Sequence, residues 1–156
     1  MGSLSKASSN QRKLALIIGN DSYSQPSNKL DQSVKNAKEL GRLLETIEFQ
    51  VRIKENVKSE ISKTIKPFVD EFNIKADDLV LFYFLGHACQ HDGTNWLIPT
   101  DDSRIGDIND VELFGSRVSR IFNELSGPND SPCTVIGILD CCRPYNFTKG
   151  TTSVSE

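Results

Sequence analysis

The sequence lacks the long apolar runs that mark membrane-spanning and secreted proteins. None of its 156 residues belongs to an apolar stretch approaching the roughly 20 residues that a helix needs to cross a bilayer. The polar segment from Met1 to Asn10 has no hydrophobic signal region. We therefore expect a soluble protein of the cytoplasm with no membrane partner. The length suits a single hydrophobic core.

An excess of charge of one sign is also missing. The chain carries 18 basic and 21 acidic side chains, a formal net charge of -3, and the two signs are interspersed. Nucleic-acid-binding proteins usually present a basic patch or stripe to the phosphate backbone. The sequence therefore predicts no nucleic-acid partner.

Cysteine is present, but not in a spacing typical of zinc ribbons or disulfide frameworks. The four cysteines are Cys89, Cys133, Cys141 and Cys142. We expect reduced thiols. His87, Cys89 and His91 alternate, yet alternation on a strand points residues to one face without supplying four converging ligands. We therefore predict no metal site.

Apolar residues recur in patterns that predict alternating strands and helices. Strands are predicted at residues 14–18, 49–53, 79–85 and 134–139, and helices at residues 31–47, 59–72 and 110–125. Asp31 and Ser59 are the predicted N-caps, and Pro67 should bend or interrupt the second helix. A small hairpin is predicted to turn at Asp92 and Gly93.

This order predicts an α/β fold in which a mostly parallel sheet carries helices on both faces. The predicted domain covers residues 13–145, between a disordered tail or tag at 1–12 and a flexible tail at 146–156. A sheet of four predicted strands could leave one edge uncovered.

Two reactive side chains follow two of the predicted strands. His87 closes the apolar run 80–86, and Cys142 closes the run 135–141. If those strands are parallel neighbours, their carboxyl ends share one crevice, where open α/β sheets place their chemistry. A thiol and an imidazole there would suit covalent catalysis. The alternative is that each residue is structural, a small buried thiol and a hydrogen-bonded imidazole.

Several segments, taken together, resemble the large p20-type subunit of the caspase superfamily, most nearly the paracaspases and metacaspases. They are LIIGN (16–20) followed by Tyr23, FQV (49–51), FYFLGH (82–87), NWLIPTD (95–101) and LDCCR (139–143). The resemblance runs from about Leu14 to Arg143. It implies a three-layer caspase-like fold and a thiol protease.

The resemblance implies a role for each matching residue. His87 is the expected catalytic histidine and Cys142 the nucleophile. The neighbouring Cys141 is the rival, but the family motif of an acid or Gln, any residue and then Cys selects the second thiol. The backbone N–H groups of Ala88 and Cys142 are the expected oxyanion donors. The family usually has Gly after the histidine, so Ala88 is a departure that could weaken the oxyanion site.

Substrate preference is inferred from Asp140, which the resemblance places in the substrate pocket. Caspases that cut after Asp have Gln at the position of Asp140 and an Arg before the first helix. This sequence has no matching Arg near Leu30. Paracaspases and metacaspases, which cut after Arg or Lys, have Asp, and a carboxylate suits bidentate binding of Arg. Their second pocket acid aligns with Asn36, so basic specificity could be weak. Without the resemblance, Asp140 would be interpreted as a solvated loop acid and Asn36 as an ordinary helix residue.

These inferences predict a cysteine endopeptidase that acts on polypeptides and prefers Arg at P1. A role in cell-death or immune-type signalling is implied by the resemblance alone. We expect the chain to lack the p10-type portion that follows the nucleophile in the family, in which case it could pair with a p10-type chain or a second copy through its open sheet edge. The alternative is a catalytically silent module that binds partners. No cofactor is expected. Many metacaspases need calcium, so the resemblance implies that this chain could need it too, but no acidic cluster in the sequence is compelling as a calcium site.

Overall fold

The computed structural model describes residues 11–126, 133–142 and 145–147. The strands are β1 (Lys13–Gly19), β2 (Phe49–Glu55), β3 (Leu79–His91), β4 (Thr94–Leu97), β5 (Ser116–Arg117) and β6 (Thr134–Cys142). The helices are α1 (Ser33–Thr46), α2 (Ile65–Phe72), α3 (Val111–Phe114) and α4 (Val118–Leu125). Short 3₁₀ turns lie at Pro26–Asn28, Ile61–Thr64, Asp102–Arg104 and Ile108–Asp110.

The strands build a mostly parallel sheet. β2, β1, β3 and β6 lie side by side, and each neighbouring pair among them is parallel. Beyond this parallel part, β3 continues to His91 and pairs with β4 in antiparallel register. The connecting turn has φ of 45° at Asp92 and 70° at Gly93, as a two-residue hairpin turn requires. The predicted fold class and hairpin are confirmed.

Alternation along β1 separates the two faces of the sheet. Leu14, Leu16 and Ile18 pack in the same core cluster as the apolar side chains of α2 and α4. Ala15 and Ile17 pack in another cluster with apolar side chains of α1. Because successive side chains of a strand point to opposite faces, the helices lie on both sides of the sheet. This is the predicted three-layer arrangement.

The start of α1 differs from the prediction. The helix begins at Ser33, and its N-cap residue, Gln32, makes no side-chain capping bond. The carboxylate of Asp21 instead accepts a hydrogen bond from the backbone N–H of Val34, at 3.3 Å. The prediction that Asp31 caps this helix is therefore wrong, since a carboxylate from the preceding loop bonds its first turn.

The second helix also begins later than predicted. Ser59 has a φ of 57°, and its N–H donates to the carboxylate of Asp101 at 2.6 Å, so it does not cap the helix. The turn Ile61–Thr64 is 3₁₀, and α2 starts only at Ile65. Pro67 thus lies in the first α-helical turn, where its missing N–H costs no intrahelical bond.

The third predicted helix, over residues 110–125, is wrong as a single element. It is divided into α3, β5 and α4. The division falls at Gly115, whose backbone is extended with ψ of 173°. A Cβ atom at this position would lie 2.7 Å from the carbonyl oxygen of Val111, so the chain turns most easily with glycine here.

Contacts at both ends of the domain extend past the predicted tail boundaries. Arg12 donates from Nε to Asp78 at 2.8 Å. At the other end, the backbone of Asn146 bonds to Asn28, and the ring of Phe147 lies 5.0 Å from that of Tyr145. The remaining extent of the predicted tails stays a prediction, because residues 1–10 and 148–156 lie outside the described part of the chain.

Candidate active site

His87 lies on β3 where the strand passes from its parallel to its antiparallel pairing. Its backbone N–H donates to the hydroxyl oxygen of Tyr23 at 2.7 Å, and its carbonyl oxygen accepts from the N–H of Ile98 at 2.9 Å. The residue is only 4 % exposed. Its backbone is therefore held from two sides.

The imidazole of His87 is oriented by a backbone carbonyl. Its Nε2 lies 2.7 Å from the carbonyl oxygen of Asn28. A carbonyl oxygen can only accept, so Nε2 carries the hydrogen and Nδ1 is the basic nitrogen of the neutral ring. The rings of Tyr23 and Tyr145 meet the imidazole edge-on, with centroids at 4.7 and 5.6 Å. This environment favours one tautomer and one ring orientation.

Cys142 is the last residue of β6 and the register partner of His87 on β3. Neighbouring parallel strands lie about 4.8 Å apart, so the backbone brings these two predicted site residues together. Cys141 pairs with Gly86, and its side chain packs against the core cluster that contains α2 and α4. The two adjacent cysteines thus pair with two different residues of β3.

Ala88, a predicted oxyanion donor, is buried in β3 opposite Leu97. The N–H of Ile98 donates to His87 O, so the backbone of His87 faces Ile98, whereas the N–H of His87 donates to Tyr23. Residues alternate in an antiparallel ladder, so the N–H of Ala88 points away from β4. Ala88 is not among the described residues with positive φ. This position therefore does not require the glycine usual in the resembling family.

The predicted pocket residues, Asp140 and Asn36, lie on different elements. Asp140 is exposed near the end of β6 and accepts a hydrogen bond from the hydroxyl of Tyr83 at 3.4 Å. Burial of Tyr83, with the charge of Asp140, raises the pKa of the tyrosine. Asn36 is exposed on α1, and no hydrogen bond joins it to Asp140 in the described part of the chain. The role of Asp140 and Asn36 together in binding the P1 side chain remains a prediction.

Sequence reasoning assigned no role at the site to four polar residues that contact His87 or bond to the residues that do. These are Tyr23, Asn28, Asp102 and Tyr145. Asp102 is fully buried and accepts bonds from the side chains of Asn28 and Tyr145, both at 3.0 Å. Only Tyr23 had a signal, its place after residues 16–20 in the motif that carries the family resemblance. The others lie in polar segments, and the sequence does not indicate their burial.

Neither a metal cluster nor a spanning helix is found in the described ranges. No three His, Cys, Asp or Glu side chains come together there as ligands. The described side chains thus do not offer calcium a cluster of carboxylates. Across the same residues, no helix has the length and apolar character for crossing a membrane.

Residues 12–156 match the family model of the caspase domain. The chain belongs to the caspase-domain family of cysteine peptidases. No curated protein sequence matches it. The chain is similar to the crystal structure of caspase-1 from Spodoptera frugiperda, at 16 % identity and a TM-score of 0.60, over 88 % of this chain and 50 % of that one. It is also similar to the structure of pro-sf-caspase-1, at 17 % identity and a TM-score of 0.58, over 94 % and 51 %.

At such identities these likenesses establish a shared fold. The chain spans about half the length of both solved caspase chains, 50 and 51 %. The expected membership of the caspase superfamily is confirmed. The closer kinship with paracaspases and metacaspases stays a prediction.

Proposed function

We propose that this caspase-domain chain carries the catalytic pair of a cysteine endopeptidase, with Cys142 as nucleophile and His87 as general base. The observation that carries the proposal is the pairing of Cys142 with His87 at the last register position of the parallel strands β3 and β6. The bond from His87 Nε2 to Asn28 supports it, because it leaves Nδ1 as the basic nitrogen.

The proposed reaction is acyl transfer through sulfur. The Cys142 thiolate attacks the peptide carbonyl, while the backbone N–H groups of Ala88 and Cys142 stabilise the oxyanion. Protonated His87 then gives its proton to the leaving amine, and water hydrolyses the thioester.

Cleavage after basic residues, with Arg preferred, is the proposed specificity. Asp140 supplies an exposed carboxylate two residues before the proposed nucleophile, and a carboxylate can bind a guanidinium through two hydrogen bonds. Paracaspases and metacaspases, which the chain resembles, also cut after basic residues. It would also fit a cytoplasmic role in cell-death or immune-type signalling, which only the resemblance suggests.

An acylating active-site probe with Arg at P1 tests the proposal. Intact-protein mass spectrometry should find one adduct on the wild type and on Cys141→Ala, and none on Cys142→Ala or His87→Ala. A parallel sample with calcium is included because of the resemblance to metacaspases. Labelling that survives in Cys142→Ala but vanishes in Cys141→Ala would reject the assignment of the nucleophile.

A second candidate function is that of a chain inactive by itself, either a silent interaction module or a p20 that needs a p10-type chain or a second copy. Two observations favour it: the half-length match to solved caspase chains, and the apolar surface of β6. Ile136 is 47 % and Ile138 42 % exposed, and in the described residues β6 pairs with β3 alone. Labelling that appears only as protein concentration rises, together with dimers in sedimentation, would support pairing between copies. Absence of labelling at every concentration would favour the silent module or a missing p10-type chain.

A further inference from the structure

The backbone of Asn146 bonds to the side chain of Asn28 in both directions. The N–H of Asn146 donates to Oδ1 of Asn28 at 3.1 Å, and its carbonyl oxygen accepts from Nδ2 of Asn28 at 3.0 Å. We call this reciprocal pair of bonds the Asn28 clamp. It joins the loop before α1 to a residue four positions beyond Cys142.

The buried carboxylate of Asp102 completes the bonding of the Asn28 side chain. Its Oδ2 accepts from Nδ2 of Asn28 and from the hydroxyl of Tyr145, each at 3.0 Å. Its Oδ1 accepts from the backbone N–H of Gln25 at 2.9 Å. The amide of Asn28 thus has acceptors for its two hydrogens and a donor on its oxygen, which favours one orientation of the side chain.

Tyr145 is built into the same network by its ring as well as its hydroxyl. The residue is 6 % exposed, and its ring contacts the imidazole of His87 edge-on. Burial, with the charge of Asp102, raises the pKa of Tyr145, so the hydroxyl stays a donor at any ordinary pH. Tyr145 therefore contacts the ring of His87 directly, and Asn146 bonds to Asn28, whose carbonyl oxygen lies next to Nε2 of His87.

We propose that Tyr145 and Asn146 are positioning residues for His87, acting through the Asn28 clamp. The clamp holds the side chain of the residue whose backbone carbonyl orients Nε2 of His87. Since both residues follow Cys142 closely in the chain, the clamp links the exit of β6 to the loop that orients the histidine. The elements carrying the two proposed catalytic residues are joined directly by β3–β6 pairing, and the clamp adds an indirect link from Asn146 through Asn28 to the His87 ring. The proposal rests on the proposed function for its catalytic meaning, but not for its geometry.

Asn146 offers a matched pair of variants. Asn146→Ala keeps the backbone N–H and carbonyl of the clamp and removes only a side-chain bond to Ser27, at 3.3 Å. Asn146→Pro removes the N–H that donates to Asn28. A second variant, Tyr145→Phe, removes the hydroxyl bond to Asp102 and keeps the ring beside His87.

The tautomer of His87 can be measured without any catalytic activity. The chain has 2 histidines, so the ring ¹⁵N resonances are few, and His91→Gln assigns them. Wild type and Asn146→Ala should show one dominant tautomer of neutral His87, with hydrogen on Nε2. Asn146→Pro and Tyr145→Phe should show an increased share of the other tautomer or exchange-broadened ring signals.

The labelling rate with the Arg probe is the second readout. Misplacement of a catalytic group by about 1 Å can cost on the order of 100-fold, and we expect a loss of about tenfold in Asn146→Pro and less than twofold in Asn146→Ala. Circular dichroism identifies any variant that fails to fold. Unchanged ring signals in folded Asn146→Pro and Tyr145→Phe would overturn the positioning role. If the wild type is not labelled at all, the proposed activity fails for this chain, while the ring signals still decide the positioning role.

Discussion

Cys142 is the register partner of His87 at the end of the pairing between β6 and β3. Sequence patterns predict that these strands end earlier, at Leu85 and Leu139. In the structure, both strands continue through the polar residues that follow. The two proposed catalytic residues therefore lie on paired strand backbone rather than on loops, which favours precise positioning.

The rival thiol, Cys141, should matter for stability and not for labelling. Its side chain packs against the core cluster of α2 and α4. Cys141→Ala removes the sulfur from that contact, and we expect a loss of about 1 kcal/mol in the free energy of unfolding, measured by urea denaturation. The rate of labelling by the Arg probe should stay within about twofold of wild type. A much larger loss of labelling in a folded Cys141→Ala protein would contradict this separation.

Gly86, directly before His87, should tolerate no side chain. Its φ is 159°, and a Cβ atom would lie 2.7 Å from the hydroxyl oxygen of Tyr23, the group that bonds His87 N–H. We expect Gly86→Ala to lower the free energy of unfolding by about 2 to 4 kcal/mol, measured by denaturant unfolding.

Gly93 provides the control for that substitution. Its φ of 70° is also left-handed, but nothing lies within 4 Å of the added Cβ. Gly93→Ala should therefore lower the free energy of unfolding by about 1 to 2 kcal/mol, the cost of placing a side chain on left-handed backbone. Equal losses in the two variants would show that contact with Tyr23 does not matter.

The ion pair between Asp78 and Arg12 should make stability depend on acid pH. Burial of Asp78 opposes its ionisation, but hydrogen bonds from Arg12 and from the N–H of Lys75, with their charges, outweigh burial and lower the pKa of Asp78. Because this pKa is lower in the folded than in the unfolded chain, the pair stabilises the fold above the unfolded-state value of about 4. That stabilisation is lost as the pH falls through the folded-state pKa.

The comparison of Asp78→Asn with Glu71→Gln tests this dependence. Glu71 also bonds to an arginine, Arg52, but both side chains are nearly half exposed, and exposed pairs contribute little. Asp78→Asn should lose on the order of 3 kcal/mol at neutral pH and show a flatter decline of stability below pH 4 than wild type. Glu71→Gln should keep a decline close to that of wild type. Parallel pH profiles for all three proteins would contradict the role of Asp78.

Ala88 should be neutral for labelling although the resembling family usually has glycine there. Its φ is not positive, so its N–H can point away from β4 without glycine's conformational freedom. Ala88→Gly should change the labelling rate by less than about twofold and lower the free energy of unfolding by about 0.5 to 1 kcal/mol. Stopped-flow labelling and urea denaturation measure the two effects. A large gain in rate would instead show that the alanine restricts the oxyanion site.

Much of the fold could be predicted because it rests on local apolar patterns. The runs that became β1 and β3 are continuous, as strands buried between two layers of helices usually are. The run that became β6 is also continuous, although Ile136 and Ile138 on it are exposed. Local patterns could not reveal the break at Gly115 or the bond of Asp21 to the start of α1, because both depend on contacts made only in the folded chain.

The candidate site likewise contains residues that local patterns could reveal and residues that depend on contacts of the folded chain. His87 and Cys142 follow apolar strands, so the sequence could place both at one edge of the sheet. Asn28 and Asp102 lie 74 positions apart in sequence, and their hydrogen bond forms inside a polar network that no periodicity marks. Such residues become recognisable only when burial is known, since the same amides and carboxylates are ordinary on a surface.

Asp140 should determine the preference for Arg at P1. Its carboxylate is exposed and hydrogen-bonded to Tyr83. A hydrogen bond to a charged group contributes about 1.5 to 3 kcal/mol, so Asp140→Asn should lower the ratio of labelling by Arg and Gln probes by roughly tenfold or more. Tyr83→Phe removes only the bond that orients the carboxylate, and we expect a smaller decrease, about twofold to fivefold.

Asn36→Asp tests the second pocket position in the opposite direction. If Asn36 lies near the bound P1 side chain, an added carboxylate should raise the Arg to Gln ratio and leave labelling by the Gln probe nearly unchanged. A ratio that Asp140→Asn leaves at the wild-type value, in a folded protein that still labels, would show that the specificity lies elsewhere. If only Asn36→Asp has no effect, the role of Asp140 stands and the pocket on this chain has a single acid.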